Sequence, residues 1–326
     1  MVKVSITDLF PHFWHPQVER ACPPGWTYEL ADSVDLDQRA RLVRDAEILF
    51  CGSASPSDEM LAAATRLRFV QKLGAGFDNI NVDLCKSMGV GLARLSGNNA
   101  VAVAEHTLLL MLAVYKRLRL LENQVRGGGW GKDVARNGNR ELRGKVVGTI
   151  GMGQIGREVA KRLRGFETTV IYYDVQRAPA EIESALGIEF VDLDDLLRRA
   201  DIVTLHIPAF PETHHLINEE RLRLMKEGSV LINCARGELV DQPALVAALV
   251  SGRLSGAGLD CVAEERPGGG EPFLGLENVV LTPHVAGVSI ENFGSMMERA
   301  FHNAAAYVAG RDLPPGDVIW LPEVRR

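Results

Sequence analysis

Apolar positions in this chain follow two rhythms. Short apolar runs recur at Trp26–Leu30, Ile48–Cys51 and Phe69–Lys72, after a strand-like alternation over Val2–Thr7. They return at Val146–Ile150, Thr169–Tyr173, Ile202–Leu205, Val230–Asn233, Ala257–Leu259 and Val279–Leu281. Between them lie stretches with helical spacing, among them Ser57–Thr65, Leu193–Arg199, Glu219–Met225 and Pro243–Ser251. A run apolar on both sides suits a strand covered on both faces, and the intervening helices supply the cover. The pattern predicts repeated βα units and parallel sheets.

Two stretches break this rhythm. Asn98–Leu118 reads as one long helix, apolar around most of its girth, which suits burial between layers or against a second subunit. A domain boundary is expected near Asn99. The glycine run Gly127–Gly131 and the polar residues up to Gly144 predict a flexible surface segment. A last helix, Ile290–Ala309, carries the chain away from the second set of strands, so the tail is expected to return to the first domain.

The segment Lys145–Asp174 holds the clearest chemistry. Its first apolar run breaks at Gly151-Met152-Gly153-Gln154-Ile155-Gly156, a helical pattern follows through Val159, Ala160 and Leu163, and a second run ends on Asp174. Strand, glycine turn, helix, strand and terminal acid make a dinucleotide-binding βαβ unit. Gly151 permits the tight turn, Gly153 lets the backbone approach a pyrophosphate, and Gly156 lets helix and strand pack closely. The N–H groups of Gln154 and Ile155 open the helix and face the phosphates. Asp174 lies 18 residues after Gly156, near the ~20 expected of an acid that binds an adenosine ribose.

Composition narrows the partners. The chain has 326 residues, 46% of them hydrophobic and 24% charged, enough for two globular domains. A formal net charge of −6 leaves no basic footprint for nucleic acid or an anionic membrane. The start has no signal-peptide pattern, and the longest apolar stretch, Thr107–Tyr115, is far short of the ~20 residues a membrane span needs. Five scattered cysteines without a CxxC pair suit a reducing cytoplasm and argue against a disulfide framework or a metal site.

The ends of the later strands carry functional residue types: His206-Ile207-Pro208, Cys234-Ala235-Arg236-Gly237, Asp260-Cys261 and Thr282-Pro283-His284. In open α/β sheets the ligand sits at those carboxyl ends. Glycines on both sides of Ala75 could make a small anion-binding nest at Ala75 and Gly76. His12 and His15 flank Phe13-Trp14 without a carboxylate or cysteine beside them, so packing is expected there. His214 and His215 suit a solvated face. Gly268–Gly270 is expected to lengthen a loop at the site mouth.

Together these motifs resemble the D-isomer-specific 2-hydroxyacid dehydrogenases over nearly the whole chain. Leu73–Asn79 (LGAGFDN) is similar to the family's substrate-carboxylate loop, and Val103–His106 to the helix start beside the nicotinamide. His206-Ile207-Pro208 with Thr213 resembles the segment walling the adenosine. Asn233–Asp241 (NCARGELVD) matches the arginine motif, and Thr282–Gly287 (TPHVAG) the histidine motif. The resemblance implies catalytic roles for Arg236, Glu265 and His284. It implies cofactor contacts from Val103, Cys234, Ala235, Asp260, Ala286 and Gly287, besides Arg236 and His284, and substrate contacts from Ala75, Gly76, Arg236 and His284. Glu265 falls five after Asp260, as the motif requires, but Arg266 stands where the family usually has proline, which leaves Glu264 as a rival acid.

The resemblance further implies two Rossmann-like domains. A flavodoxin-like substrate domain of residues 1–99 and 293–326 would carry an inserted NAD-binding domain of residues 100–292, and a cytoplasmic homodimer is expected. The activity implied is reduction of a small 2-keto acid, or oxidation of its D-2-hydroxy acid, with NAD. Arg236 would bind carboxylate and carbonyl oxygens, His284 would supply the proton, and Glu265 would hold the other imidazole nitrogen. Two alternatives use the same fold: an NAD-sensing corepressor, and a family member acting on formate or phosphite.

Overall fold

The computed structural model describes residues 2–33, 35–265 and 271–324; Arg266, Pro267 and the run Gly268–Gly270 lie outside the described residues. The chain divides into two compact units, Met1–Asn99 with Val288–Arg326, and Ala100–Gly287. Both are α/β.

The first unit begins with strands β1 (Lys3–Leu9), β2 (Thr27–Ala31), β3 (Ile48–Cys51), β4 (Phe69–Lys72) and β5 (Gly91–Ala93). Between β1 and β2, in a stretch punctuated by Pro11, Pro16, Pro23 and Pro24, lies a helix, His15–Ala21. Pro16 sits in its first turn, where a missing N–H leaves no intrahelical bond unmade. β4 is fully buried, and Phe69 stacks on Tyr307 with ring centroids 4.5 Å apart. A Cβ on Gly91 would lie 2.6 Å from the Tyr307 ring, so glycine is the residue that admits that stack.

The second unit opens with the helix Ala100–Tyr115. It is shorter than the single helix expected, because Arg117 takes a left-handed φ of 50° and starts a separate helix, Leu118–Arg126. The stretch expected to be flexible also contains a helix, Lys132–Gly138, braced by an Arg136–Asp133 ion pair at 2.8 Å. Seven parallel strands follow: β6 (Val146–Ile150), β7 (Thr169–Tyr173), β8 (Ile188–Phe190), β9 (Ile202–Leu205), β10 (Ser229–Asn233), β11 (Leu254–Leu259) and β12 (Val279–Leu281). Their order is β12-β11-β10-β9-β6-β7-β8. The reversal between β6 and β9 is the topological switch point of such a sheet. Ala100–Tyr115 packs against β10 and β11 and against the helix Gln154–Leu163.

The chain then returns to the first unit. Ser289 caps the helix Ile290–Val308 by accepting the Asn292 N–H at 3.0 Å. Strand β13 (Val318–Trp320) runs antiparallel to β5 and completes the order β13-β5-β4-β3-β1-β2. Asp317 anchors this return. Its fully buried carboxylate accepts the Ser96 N–H at 2.9 Å, Arg299 Nε at 2.9 Å and Asn303 Nδ2 at 3.0 Å, and its carbonyl accepts the Arg94 N–H at 2.8 Å.

Removing Asp317 leaves its buried donors unpaired, with Arg299, 32% exposed, still partly reached by water, at a typical cost of ~1–3 kcal/mol. Asp317→Ala should therefore destabilise the first unit by about that much. Trp14, Trp26 and Trp320 belong to this unit and only Trp130 to the other, so tryptophan fluorescence reports on it. Urea unfolding of the variant should show an earlier midpoint; an unchanged midpoint would remove Asp317 from this role.

Candidate active site

Three neighbouring strands of the second unit deliver the three expected catalytic residues. Arg236 follows β10, Glu265 follows β11 and His284 follows β12. His284 Nδ1 lies 2.7 and 2.8 Å from the two carboxylate oxygens of Glu265, so Glu265 is the acid that meets the ring. Nε2 is then the ring atom available to a reactant. His284 itself sits at φ 54°, a left-handed conformation rare for a side-chain-bearing residue.

Asp260 holds that conformation in place. Its buried carboxylate accepts the Val285 N–H at 3.0 Å, the Ala286 N–H at 2.8 Å and the Thr282 hydroxyl at 2.5 Å. Its carbonyl accepts the His284 N–H at 2.7 Å. His106 Nε2 lies 2.9 Å from the Thr282 oxygen; since that hydroxyl donates to Asp260, the Nε2 proton must point at Thr282. Asp260 was expected as a cofactor contact. In the structure its carboxylate fastens the histidine loop.

The arginine loop is fixed from two sides. Asn233 Nδ2 donates to the Arg236 carbonyl at 2.8 Å, and Asn233 Oδ1 accepts the Ala235 N–H at 3.0 Å. A Cβ on Gly237 would stand 2.1 Å from the Val262 carbonyl carbon. Glycine therefore lets the arginine loop rest directly on the backbone that leads to Glu265. Below this contact lies Cys261, buried, its thiol donating to the Ala235 carbonyl at 3.3 Å. Burial pushes this thiol well above the ordinary range. The sequence marks it only as part of the Asp260-Cys261 strand end and gives it no role.

At the carboxyl end of β6, Gly151 takes φ 97°, and a Cβ there would stand 2.5 Å from the His206 carbonyl oxygen. A Cβ on Gly156 would stand 2.2 Å from the Gly151 oxygen. At Gly153, by contrast, an added Cβ meets nothing within 4 Å. That open space fronts the helix Gln154–Leu163, whose start has no side-chain cap. Uncapped first-turn N–H groups beside open space fit the phosphates of a dinucleotide. Asp174 accepts the Met152 N–H at 2.7 Å and the Gln176 N–H at 3.1 Å, which brings its carboxylate onto the glycine turn. Arg177 is engaged elsewhere: Nε and a terminal nitrogen meet Glu183 at 2.8 and 2.9 Å, and its guanidinium lies over Phe190. Hydrogen bonds from Arg177 and Tyr172 hold Glu183 down to about 2.

The remaining expected cofactor residues lie on the neighbouring loops, except Val103, which is on the helix Ala100–Tyr115. Ile207 packs against Gly151, and Thr213 Oγ1 donates to the Pro208 carbonyl at 3.0 Å while accepting the Phe210 N–H at 2.8 Å. Val103, Cys234, Ala235 and Ala286 are buried, with the Cys234 thiol pushed up to about 12 by burial. Gly287 ends the unit. Ala75 and Gly76 lie in the first unit, on the loop after β4. Neither Gly74 nor Gly76 takes a left-handed φ, so the loop does not form the alternating-handed nest expected. Instead the Ala75 carbonyl accepts from Arg94 at 3.4 Å. His15 Nε2 lies 3.3 Å from the Phe10 carbonyl, and His214 and His215 stack at 3.9 Å on an exposed loop. Among the described residues no helix is long and apolar enough to cross a membrane.

The chain is similar to known proteins. The family model "D-isomer specific 2-hydroxyacid dehydrogenase, NAD binding domain" matches residues 108–286. Glyoxylate reductase of Thermofilum pendens is 39% identical over 318 residues, covering 96% of this chain and 93% of that protein. D-3-phosphoglycerate dehydrogenase of Methanocaldococcus jannaschii is 35% identical over 286 residues, covering 87% of this chain but 53% of that protein. The structure of D-lactate dehydrogenase from Aquifex aeolicus, complexed with NAD and lactic acid, superposes with a TM-score of 0.81 at 30% identity, covering 94% of this chain and 96% of that one.

His206 yields a pH prediction. Its Nε2 lies 3.0 Å from Thr204 Oγ1, and burial drives the ring's pKa down to about 3. An unfolded histidine takes its proton near ~6.5. Between these values the unfolded state binds more protons, so this residue makes stability fall as the pH drops below ~6.5. His206→Gln should flatten the fall by up to ~1.4 kcal/mol per pH unit. Urea unfolding of both proteins between pH ~7.5 and ~5 checks this; parallel pH profiles would refute it.

Proposed function

The chain belongs to the D-isomer-specific 2-hydroxyacid dehydrogenases, and on that premise we propose that it reduces a small, unphosphorylated 2-keto acid to the D-2-hydroxy acid with NADH. At the coarser level it is an oxidoreductase of 2-keto and 2-hydroxy acids that uses NAD. The observation that carries the finer reading is the His284–Glu265 pair beside Arg236, on the ends of three adjacent strands. The dinucleotide, when bound, supplies the hydride. The chain's own groups do the rest. Arg236 presents a planar fork to one carboxylate oxygen and the carbonyl oxygen, orienting the acid and stabilising the alkoxide as it forms. His284 Nε2 delivers the proton that turns this alkoxide into an alcohol, and Glu265 holds Nδ1 and stabilises the charged ring.

Preference for NADH over NADPH is supported by two neighbours. Asp174 brings a negative charge to the turn where a ribose phosphate would sit, and Arg177, the nearest candidate to receive that phosphate, is engaged by Glu183. An unphosphorylated acid is supported by the fuller coverage of the glyoxylate reductase relative than of the phosphoglycerate dehydrogenase. A homodimer is supported by Val101 and Leu109 on the first helix of the second unit, and by Leu118 and Val125 on the next, each half exposed or more. Sedimentation should give twice the chain mass; a single-chain mass at micromolar concentration would exclude the dimer.

The decisive assay measures dinucleotide oxidation with glyoxylate, hydroxypyruvate, pyruvate and 3-phosphohydroxypyruvate. One of the unphosphorylated acids should turn over with NADH, and Asp174→Ser should erode the advantage over NADPH. Arg236→Lys replaces a fork with a point charge. It should raise KM and lower kcat by ~10²–10³-fold, with NADH affinity, read by fluorescence, unchanged. Tight NADH binding with no turnover on any acid would leave a binding role instead, and weakened NADH binding in Arg236→Lys with normal kcat would make Arg236 a cofactor ligand.

A further inference from the structure

We propose that Cys261, Glu265 and His284 form a site for a thiophilic divalent ion such as Zn²⁺ or Cd²⁺, and that filling it disables the proton donor. One ligand atom from each of the three residues lies within 4.8 Å of the other two. They are a thiol sulfur, a carboxylate oxygen and an imidazole nitrogen, a ligand set that suits zinc. Tetrahedral zinc, with bonds of ~2.0–2.3 Å, holds such atoms ~3.4–3.6 Å apart. The His284–Glu265 contact at 2.7 Å must open by several tenths of an ångström, and the sulfur must close by about one at most. Side-chain rotations supply both movements.

The two faces of the cluster differ usefully. The side chains of Glu265 and His284 are 42% and 39% exposed, which gives an ion its entry. Cys261 closes the cluster from the protein interior with 2% exposure. Its thiol now donates to the Ala235 carbonyl; on binding, that proton leaves to solvent and the sulfur bonds the ion. The thiolate and the Glu265 carboxylate together balance a 2+ charge. Water completes the fourth position.

The disabling effect rests on His284 being the proton donor proposed above. An ion on Nδ1 takes the place of the proton that makes the ring an imidazolium. The neutral ring keeps one proton, on Nε2, and giving it up would require an imidazolate. Proton delivery stops. The glycine turn after β6 is untouched, so the dinucleotide still binds.

The test titrates Cd²⁺ into the full chain and follows the ultraviolet band of a cadmium–thiolate bond, with stoichiometry from equilibrium dialysis. Wild type is compared with Cys261→Ser and Cys261→Ala, and NADH binding checks that both variants are folded. One ion per chain and a band lost in both variants are expected. In parallel, Zn²⁺ should inhibit keto-acid reduction without weakening NADH binding. Its inhibition constant should rise at least about tenfold in both variants, the lower bound for losing even an outer partner of a metal site. No band, or a band that survives in the variants through Cys22, Cys51, Cys85 or Cys234, overturns the site. A band lost in the variants while Zn²⁺ leaves wild-type reduction intact keeps the site and overturns the role of His284 as proton donor.

Discussion

A carboxylate taken out of water must have its oxygens hydrogen-bonded, and meeting that requirement at Asp260 builds the site. The buried Asp260 side chain collects two backbone N–H groups and a hydroxyl from Thr282–Ala286, and its carbonyl takes a third N–H. These bonds outweigh the strain of putting His284 at positive φ, which costs of the order of 1–3 kcal/mol. Once the backbone is set, the imidazole can meet Glu265 with Nδ1 and leave Nε2 outward. His106, through Thr282, ties this loop to the helix Ala100–Tyr115. The position of the His284 ring thus depends on a neighbouring acid that does not touch it.

The same device recurs in both units. Asp317 joins the returning tail to Ser96, Arg299 and Asn303, and Asp8, at the end of β1, accepts N–H groups from Gly52 and Ala54 beyond β3. Asp201, just before β9, accepts the Val146 N–H at the start of β6. In each case a short acidic side chain satisfies backbone donors that the sheet ladder cannot reach. Parallel sheets leave many such donors at their strand ends.

Much of the architecture was legible because apolar runs and helical spacing are local signals. Ile48–Cys51, Phe69–Lys72, Ile202–Leu205 and Val279–Leu281 form strands over the expected residues, and Leu193–Arg199 forms a helix. The glycine turn was legible because each glycine answers a steric demand visible in its spacing. Other features depend on contacts distant in sequence. Nothing local announced that Arg117 would turn left-handed and split the long helix, or that residues 132–138 would coil. The loop at Ala75 looked like a nest, yet handedness is set by the backbone around it, and Arg94 engages its carbonyl. Spacing favoured Glu265 over Glu264 without deciding between them; the fold of the loop after β11 brings Glu265 to the ring. Cys261 was legible as a strand-end residue but not as a neighbour of the pair, because a single cysteine carries no pattern and only packing sets it there.

The contact at Gly237 has a bearing on how such a site can change over generations. With no room for even one carbon between residue 237 and the Val262 carbonyl, the arginine loop and the acid loop cannot drift apart independently. They are inherited as a single block. Variation that alters what the protein accepts can come from loops free of this contact, while these two loops keep their mutual spacing. A lineage can then retune its choice of acid many times without rebuilding the chemistry.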